Sequence, residues 1–256
     1  MKSPIDAYFD SARRAALTDV ADTAVRRIGR DIRRALPNSL RPFTTSACIE
    51  FIPTKTGGRY RAAKDGAGAG NILDFSATDG SFDMLGANST IADQTIGVGD
   101  LIVVYNLGIT GSNAYDRTNL SDVIAPGVVA GALTNETKIN ITPFRFPLES
   151  GSNRFHVVPS TENSVTYVCT GAGTTAGNGA GTLYRYVRAL NSTHTCPTTL
   201  SGVSGATELA RNVSTCSFEY NGSDLQRNAT VRITLGLTQS NETVSLFHEV
   251  HVDNTP

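Results

Sequence analysis

Two histidines near the C-terminal end, His248 and His251 in the sequence HEVH, are the residues of this chain that most resemble a catalytic motif. In zinc hydrolases two imidazoles bind the metal from positions i and i+4 of a helix, in the pattern HExxH. Here the spacing is three and the surrounding run is typical of a strand, where side chains at i and i+3 point to opposite faces. No Ser/His/Asp or Cys/His set is marked locally either. We therefore expect no metal role for this pair and a protein that is not an enzyme.

Two glycine-rich stretches resemble phosphate-binding loops, residues 63–71 (AKDGAGAGN) and 170–182 (TGAGTTAGNGAGT). Both lack the GK[ST] sequence and the strand-to-helix setting of such loops, so they are interpreted as hairpin loops. Calcium could bind loop carboxylates, although no DxDxDG-type spacing supports a site. The sequence therefore predicts no cofactor, with calcium as the alternative at Asp79, Asp83, Asp93 and Asp116.

Four cysteines are too dispersed for a zinc site, and their even number suggests up to two disulfides in an exported chain. They are Cys48, Cys169, Cys196 and Cys216. Three pairings are possible. The pair Cys196 and Cys216 is favoured, because it would constrain a Ser-, Gly- and Thr-rich loop. Cys48 and Cys169 form a second disulfide or remain as buried thiols.

A long amphipathic helix is predicted to position the rest of the chain, from Ser3 to Leu36. Ser3 can cap it, Pro4 suits its first position and Pro37 cannot continue it. From Leu17 onward apolar residues recur at three- and four-residue spacing, including Val20, Val25 and Ala35, which predicts one buried face. The helix-on-sheet core is expected to contain Leu17, Ala21, Ala24, Ile28, Ile32 and Leu36.

The apolar face changes direction before Leu17. Arg13 and Arg14 fall on the line of the buried stripe, and the apolar residues project from roughly the other side at about 100° per residue. A helix of this length extends about 50 Å, more than strands of about 17–20 Å can cover. The first turns are therefore predicted to form a subunit interface through Ile5, Tyr8, Phe9, Ala12 and Ala16.

Arginines on the opposite helix face are a feature of nucleic-acid-binding proteins, but no aromatic platform or recognition motif accompanies them. Their spacing instead favours local ion pairs on a solvated face. The expected pairs are Asp10 with Arg13 and Arg14, Asp22 with Arg26, and Asp31 with Arg34. No nucleic-acid partner is predicted, and no apolar run is long enough for a membrane span or a signal peptide.

Residues 37–256 are predicted to form a β-rich head, distinct from the helical residues 1–36. Because no helices of crossover length separate the strands, an antiparallel sheet is expected, and the fold class is predicted to be α+β. Long polar linkers are expected at residues 108–136 and 192–215. The candidate strands are residues 47–53, 58–63, 71–77, 100–108, 153–159, 164–170, 181–190, 229–238 and 242–252, with a hairpin joining 164–170 to 181–190.

Several segments together resemble the minor pilins of mannose-sensitive haemagglutinin (MSHA) type IV pili and, more broadly, the J-type pseudopilins of type II secretion. They are RRIGRDIRRALPNSLR, TKTGGRYR, GDLIVVYNLG, VTYVC with GTLYRY, and the ending VSLFHEVHVDNTP. The resemblance implies a type IV pilin-like fold with a long N-terminal helix on an antiparallel sheet. Family members begin with a leader peptide and about twenty apolar residues, which this sequence lacks. Met1 and Lys2 are accordingly expected to begin a shortened chain.

The resemblance also implies a role. Such a subunit would be anchored in the inner membrane with a periplasmic head, and would then enter an extracellular pilus with other minor pilins and the major pilin. It would help to prime pilus assembly, sit in a tip complex and contribute to surface attachment. The alternatives are a tip adhesin that binds glycans or surfaces through Asn-, Ser- and Thr-rich loops, and a type II secretion pseudopilin.

Overall fold

The structure is a computed structural model that describes residues 4–222 and 228–256, and in residues 4–7 it describes the backbone alone. Its one long helix, α1, spans Pro4–Arg33. The predicted cap Ser3 lies outside the described residues. Two short 3-10 helices follow at Ala92–Gln94 and Ala114–Asp116.

Fifteen strands make up most of the remaining regular structure that is described. In chain order they are β1 Arg41–Pro42, β2 Cys48–Phe51, β3 Thr56–Arg59, β4 Asp79–Met84, β5 Leu101–Val104, β6 Leu120–Ala130, β7 Thr137–Phe144, β8 Arg154–Val158, β9 Ser164–Thr170, β10 Thr174–Thr175, β11 Asn178–Gly179, β12 Gly181–Arg188, β13 Ala206–Asn221, β14 Asn228–Gln239 and β15 Glu242–Asp253.

The fold class is mainly β, so the predicted α+β class with a type IV pilin-like fold is wrong. Strands hold 44% of the residues and helices 13%, and the strands form three separate sheets. The prediction gave too much weight to one long helix and too little to the polar middle of the chain. There a second large sheet forms, in which β3, β5 and β8 overlap predicted strands whereas β4, β6 and β7 do not.

All strand pairs within the described residues are antiparallel, which confirms that part of the prediction. A seven-stranded sheet has the order β1-β2-β9-β12-β13-β14-β15, and a six-stranded sheet has the order β3-β8-β5-β6-β7-β4. The predicted hairpin is confirmed as β9 with β12, and its glycine-rich loop carries the small hairpin β10–β11. The seven-stranded sheet supports α1.

Several predicted boundaries are wrong, most of them in the six-stranded sheet. Residues 71–77 are not a strand, and β4 follows them instead. The expected linker at 108–136 contains β6, and β7 was not predicted at all. The other expected linker, 192–215, contains the first ten residues of β13.

The helix ends at Arg33 rather than Leu36. The N–H groups of Arg34 and Ala35 donate to carbonyls three residues earlier, both at 3.0 Å, and Pro37 disfavours a helical conformation in Leu36. The Leu36 N–H instead donates to the carbonyl of Ile52 at 2.7 Å. Leu36 is fully buried, but it lies in a core beside β5, with Ile52, Leu101 and Val103, and not under the helix. Its predicted place in the helix-on-sheet core is therefore corrected.

The remaining helical core residues lie against the seven-stranded sheet. Ile28 and Ile32 are fully buried among Tyr167, Ile233 and other residues of one large apolar cluster. Val20, which was predicted on the same face, is instead 41% exposed.

Replacing Ile28 with Asp is expected to unfold the chain. The substitution buries an unpaired carboxylate against the sheet, which should lower the free energy of unfolding by about 4 kcal/mol or more. Urea denaturation measured by circular dichroism tests this. Val20→Asp is the matched control, since it adds the same charge to the exposed side of the same helix and should change stability by less than about 0.5 kcal/mol. Equal effects of the two variants would contradict the packing.

Two disulfides link Cys48 to Cys196 and Cys169 to Cys216, with Cα–Cα distances of 6.0 and 6.3 Å. The favoured pairing of Cys196 with Cys216 is therefore wrong, and Cys48 and Cys169 are not thiols. Cys48 and Cys196 lie in an apolar cluster with Phe43. The first disulfide ties the loop before β13 to β2, and the second joins β9 to β13.

Removing the second disulfide with the double substitution Cys169→Ala and Cys216→Ala should cost about 4 kcal/mol. The bond spans 47 residues, so it removes substantial entropy from the unfolded chain. Urea denaturation gives the change, and mass spectrometry of non-reduced peptides gives the pairing. A peptide containing Cys196 joined to Cys216 would contradict the arrangement.

Candidate assembly surface on the N-terminal helix

The C-terminal half of α1 is fixed to the sheet by a stripe of small and aliphatic side chains. Leu17, Ala21, Ala24 and Ile28 are each at most 6% exposed. At about 3.6 residues per turn their spacing places them on one side of the helix. That side packs against β13, β14 and β15.

A partly buried polar network fixes the last turn of α1. The Asp31 carboxylate accepts hydrogen bonds from the Tyr167 hydroxyl and from Nε of Arg185, both at 2.8 Å. Arg185 also donates to both carboxylate oxygens of Glu162, at 3.0 and 2.8 Å. The predicted pair of Asp31 with Arg34 is therefore replaced by contacts with β9 and β12.

The environment of this network shifts two pKa values upward. Burial raises the pKa of Tyr167 well above its ordinary value, and the Asp31 carboxylate adds to the effect. Burial alone would lower the pKa of Arg185, but its hydrogen bonds to Glu162 and Asp31 outweigh that and raise it. Arg185 is thus permanently charged and paired, so the network ties the helix to the sheet.

The N-terminal half of α1 has far fewer contacts. Arg14 meets the carboxylate of Glu242, at the start of β15, at 3.2 and 3.3 Å, rather than pairing with Asp10. Arg13 does pair with Asp10 at 3.2 Å, and Arg26 pairs with Asp22 at 2.7 Å, as predicted. Exposed pairs of this kind contribute little to stability. Toward the N-terminus α1 therefore continues past Leu17, the first helical residue that packs in the core, with little to hold it.

Apolar side chains line the exposed side of this extension. Tyr8 is 70% and Phe9 is 57% exposed, and their rings meet edge to face with centroids 5.9 Å apart. Ala12 and Ala16 are also exposed. Ile5, the remaining predicted interface residue, lies outside the side chains that the structure describes.

Val20 extends this surface by one more turn, although the apolar spacing predicts it on the buried face. It lies four residues after Ala16, the spacing that aligns neighbours along a helix face. We define the assembly ridge as Tyr8, Phe9, Ala12, Ala16 and Val20. From its first to its last residue the ridge is about 18 Å long, at 1.5 Å per residue. Its five side chains are apolar and exposed, whereas those of the buried stripe pack against the sheet.

The other candidate residues are not brought together. His248 is half-buried beside Gly29, whereas His251 is exposed on the opposite face of β15. The four aspartates considered for calcium do not form a cluster. The Asp79 carboxylate accepts a hydrogen bond from the N–H of Asp74, and the Asp83 carboxylate accepts one from the N–H of Asn71. The Asp116 carboxylate accepts one from the Asn113 side chain, and Asp93 lies in a 3-10 helix. No group of three or more potential metal ligands occurs within the described ranges 4–222 and 228–256.

Comparisons of this chain with protein-family models, with curated proteins and with solved structures found no match. None of the helices among the described residues is both long and apolar enough to cross a membrane.

Proposed function

We propose that this chain is a structural subunit of a bacterial extracellular filament, in the role of a minor pilin of an MSHA-type pilus. The observation that carries the proposal is the assembly ridge, which presents two large aromatic side chains to solvent on a helix that extends past its own core. Exposed aromatic and aliphatic side chains in one contiguous patch are characteristic of association surfaces. The sequence segments that resemble minor pilins support the same role.

In this role the two halves of α1 have different tasks. The half from Leu17 to Arg33 holds the head in a fixed position, through its buried stripe and the Asp31 network. The assembly ridge, which lies before Leu17 except for Val20, packs against other minor pilins and the major pilin. An apolar segment continuous with the helix, as the resemblance implies, holds the subunit in the inner membrane with its head in the periplasm. Assembly then transfers it to the extracellular filament, where it helps to prime assembly at the tip.

Replacing Ile5, Tyr8 and Phe9 together with Ser is expected to abolish or strongly reduce piliation while leaving the head folded. The Tyr8 and Phe9 substitutions remove the largest exposed apolar side chains of the ridge. Piliation is counted by electron microscopy after the variant replaces the natural gene. The stability of the purified chain should change by less than about 0.5 kcal/mol, because surface substitutions away from caps and cores have small effects.

The matched control replaces Ile124 and Val129, which are each 39% exposed on β6, with Ser. It removes surface apolar groups far from the helix and should leave piliation normal. Normal piliation in the ridge variant would overturn the proposed role. Normal piliation combined with a loss of protein secretion would assign the chain to a type II secretion system instead.

A further inference from the structure

The second surface of interest is the open edge of the seven-stranded sheet at β15. Within the described residues β15 pairs with β14 on one side and with no strand on the other. The opposite edge is the two-residue strand β1. Proteins usually protect long edges with proline, lysine or a bulge. The sequence of β15 contains no proline and no lysine. Its twelve pairs with β14 run without a register shift, so it has no bulge.

The hairpin turn determines which backbone groups of β15 point outward. Ser240 and Asn241 form a two-residue turn with φ values of 52° and 65°. In such a turn the flanking residues, Gln239 and Glu242, exchange both backbone hydrogen bonds, and the pairs then alternate along the ladder. The N–H and C=O groups that point away from β14 therefore belong to Thr243, Ser245, Phe247, Glu249 and His251.

A basic groove runs along this edge on the helix side. It is lined by Thr23, Arg26, Gly29, Arg30, Arg33 and His248. Arg26 pairs with Asp22, whereas Arg30 and Arg33 make no ion pair within the part of the chain that the structure describes. Two unpaired guanidinium groups beside an open strand edge favour acidic side chains in whatever lies there.

The other side of the edge carries one large apolar side chain, which stands between the polar residues Ser245 and Glu249. Phe247 projects from the face of the sheet away from α1 and is 74% exposed, the most of any large hydrophobic side chain whose exposure is described. A strand added at β15 alternates its side chains between the two faces of the sheet. One set would then contact Phe247, and the other set would enter the groove beside Arg30 and Arg33.

We propose that β15 binds an extended segment of another protein by strand addition, and that this segment alternates apolar with acidic residues. Its backbone completes the outward hydrogen bonds of β15, its apolar side chains pack on Phe247 and its carboxylates pair with Arg30 and Arg33. A second copy of this chain is a poor occupant. Edge-to-edge antiparallel pairing would place both helices on one face of the joint sheet and bring two basic grooves together.

This surface lies beyond the assembly ridge and does not depend on the proposed role in a pilus. Binding is measured by fluorescence anisotropy with the purified chain and a labelled ten-residue peptide of alternating Val and Asp. The same peptide with Lys in place of Asp should bind at least tenfold more weakly. A Val/Asp peptide that is N-methylated on the residues whose N–H groups face β15 should also lose at least tenfold, since it retains the charge but cannot pair as a strand.

Three variants of the chain test the same contacts. Phe247→Ser, the double variant Arg30→Glu with Arg33→Glu, and Ser245→Pro should each weaken binding of the Val/Asp peptide at least tenfold. Ser245→Pro removes an outward N–H while sparing the hydrogen bonds to β14, and its urea midpoint verifies that it folds. Arg211→Glu is the matched charge control, because Arg211 is an exposed arginine on β13.

The proposal is overturned if the Val/Asp peptide does not bind, or if the methylated peptide binds as tightly as the unmodified one. The second result would show an ionic contact without strand pairing. It is also overturned if sedimentation shows that the unliganded chain dimerises and that Ser245→Pro abolishes the dimer. In that case the edge is occupied by a second copy.

Discussion

The packing of one face of α1 on the seven-stranded sheet is the constraint on which the surfaces of this protein depend. The close approach of α1 to the sheet requires small side chains where the two meet. A Cβ at Gly29 would stand 3.1 Å from Nε2 of His248 and 3.4 Å from a methyl carbon of Val250, both on β15. With the helix axis fixed over the last strands, the direction of every other helix face is fixed as well. The assembly ridge must therefore face solvent, and the basic arginines must line the edge of β15.

Much of this arrangement could be predicted from the sequence, because helical burial leaves a period of 3.6 residues that single residues reveal. Ala21, Ala24, Ile28 and Ile32 follow that period, and all are buried. The helical period alone does not predict the positions of Val20 and Leu36 in the structure. A hydrophobic residue next to the stripe is buried only if the sheet extends beneath it, and the width of a sheet is a tertiary property.

The wrong predictions of ion pairs and disulfides concern residues that are far apart in the sequence. Asp31 was assigned to Arg34 from local spacing, yet it binds Tyr167 and Arg185, more than 130 positions away. The disulfides likewise span 148 and 47 positions, although the sequence favoured the pair closest along the chain.

β6 was missed because its central Pro126 and Gly127 are typical of turns, and the register with β7 shifts between Val123 and Val128 to accommodate them.

The functional proposal rests on the two unequal halves of α1 and on the sequence segments that resemble minor pilins, and not on the fold class. An isolated helix of about twelve to fifteen residues is marginal in water, because its first turn is costly to form. Here the packed half from Leu17 to Arg33 supplies that first turn, and each further residue toward the N-terminus adds a hydrogen bond at lower cost. The ridge is thereby held helical before any partner arrives. A surface ordered in advance loses less conformational entropy on association, so the same apolar contacts yield tighter binding than they would on a disordered tail.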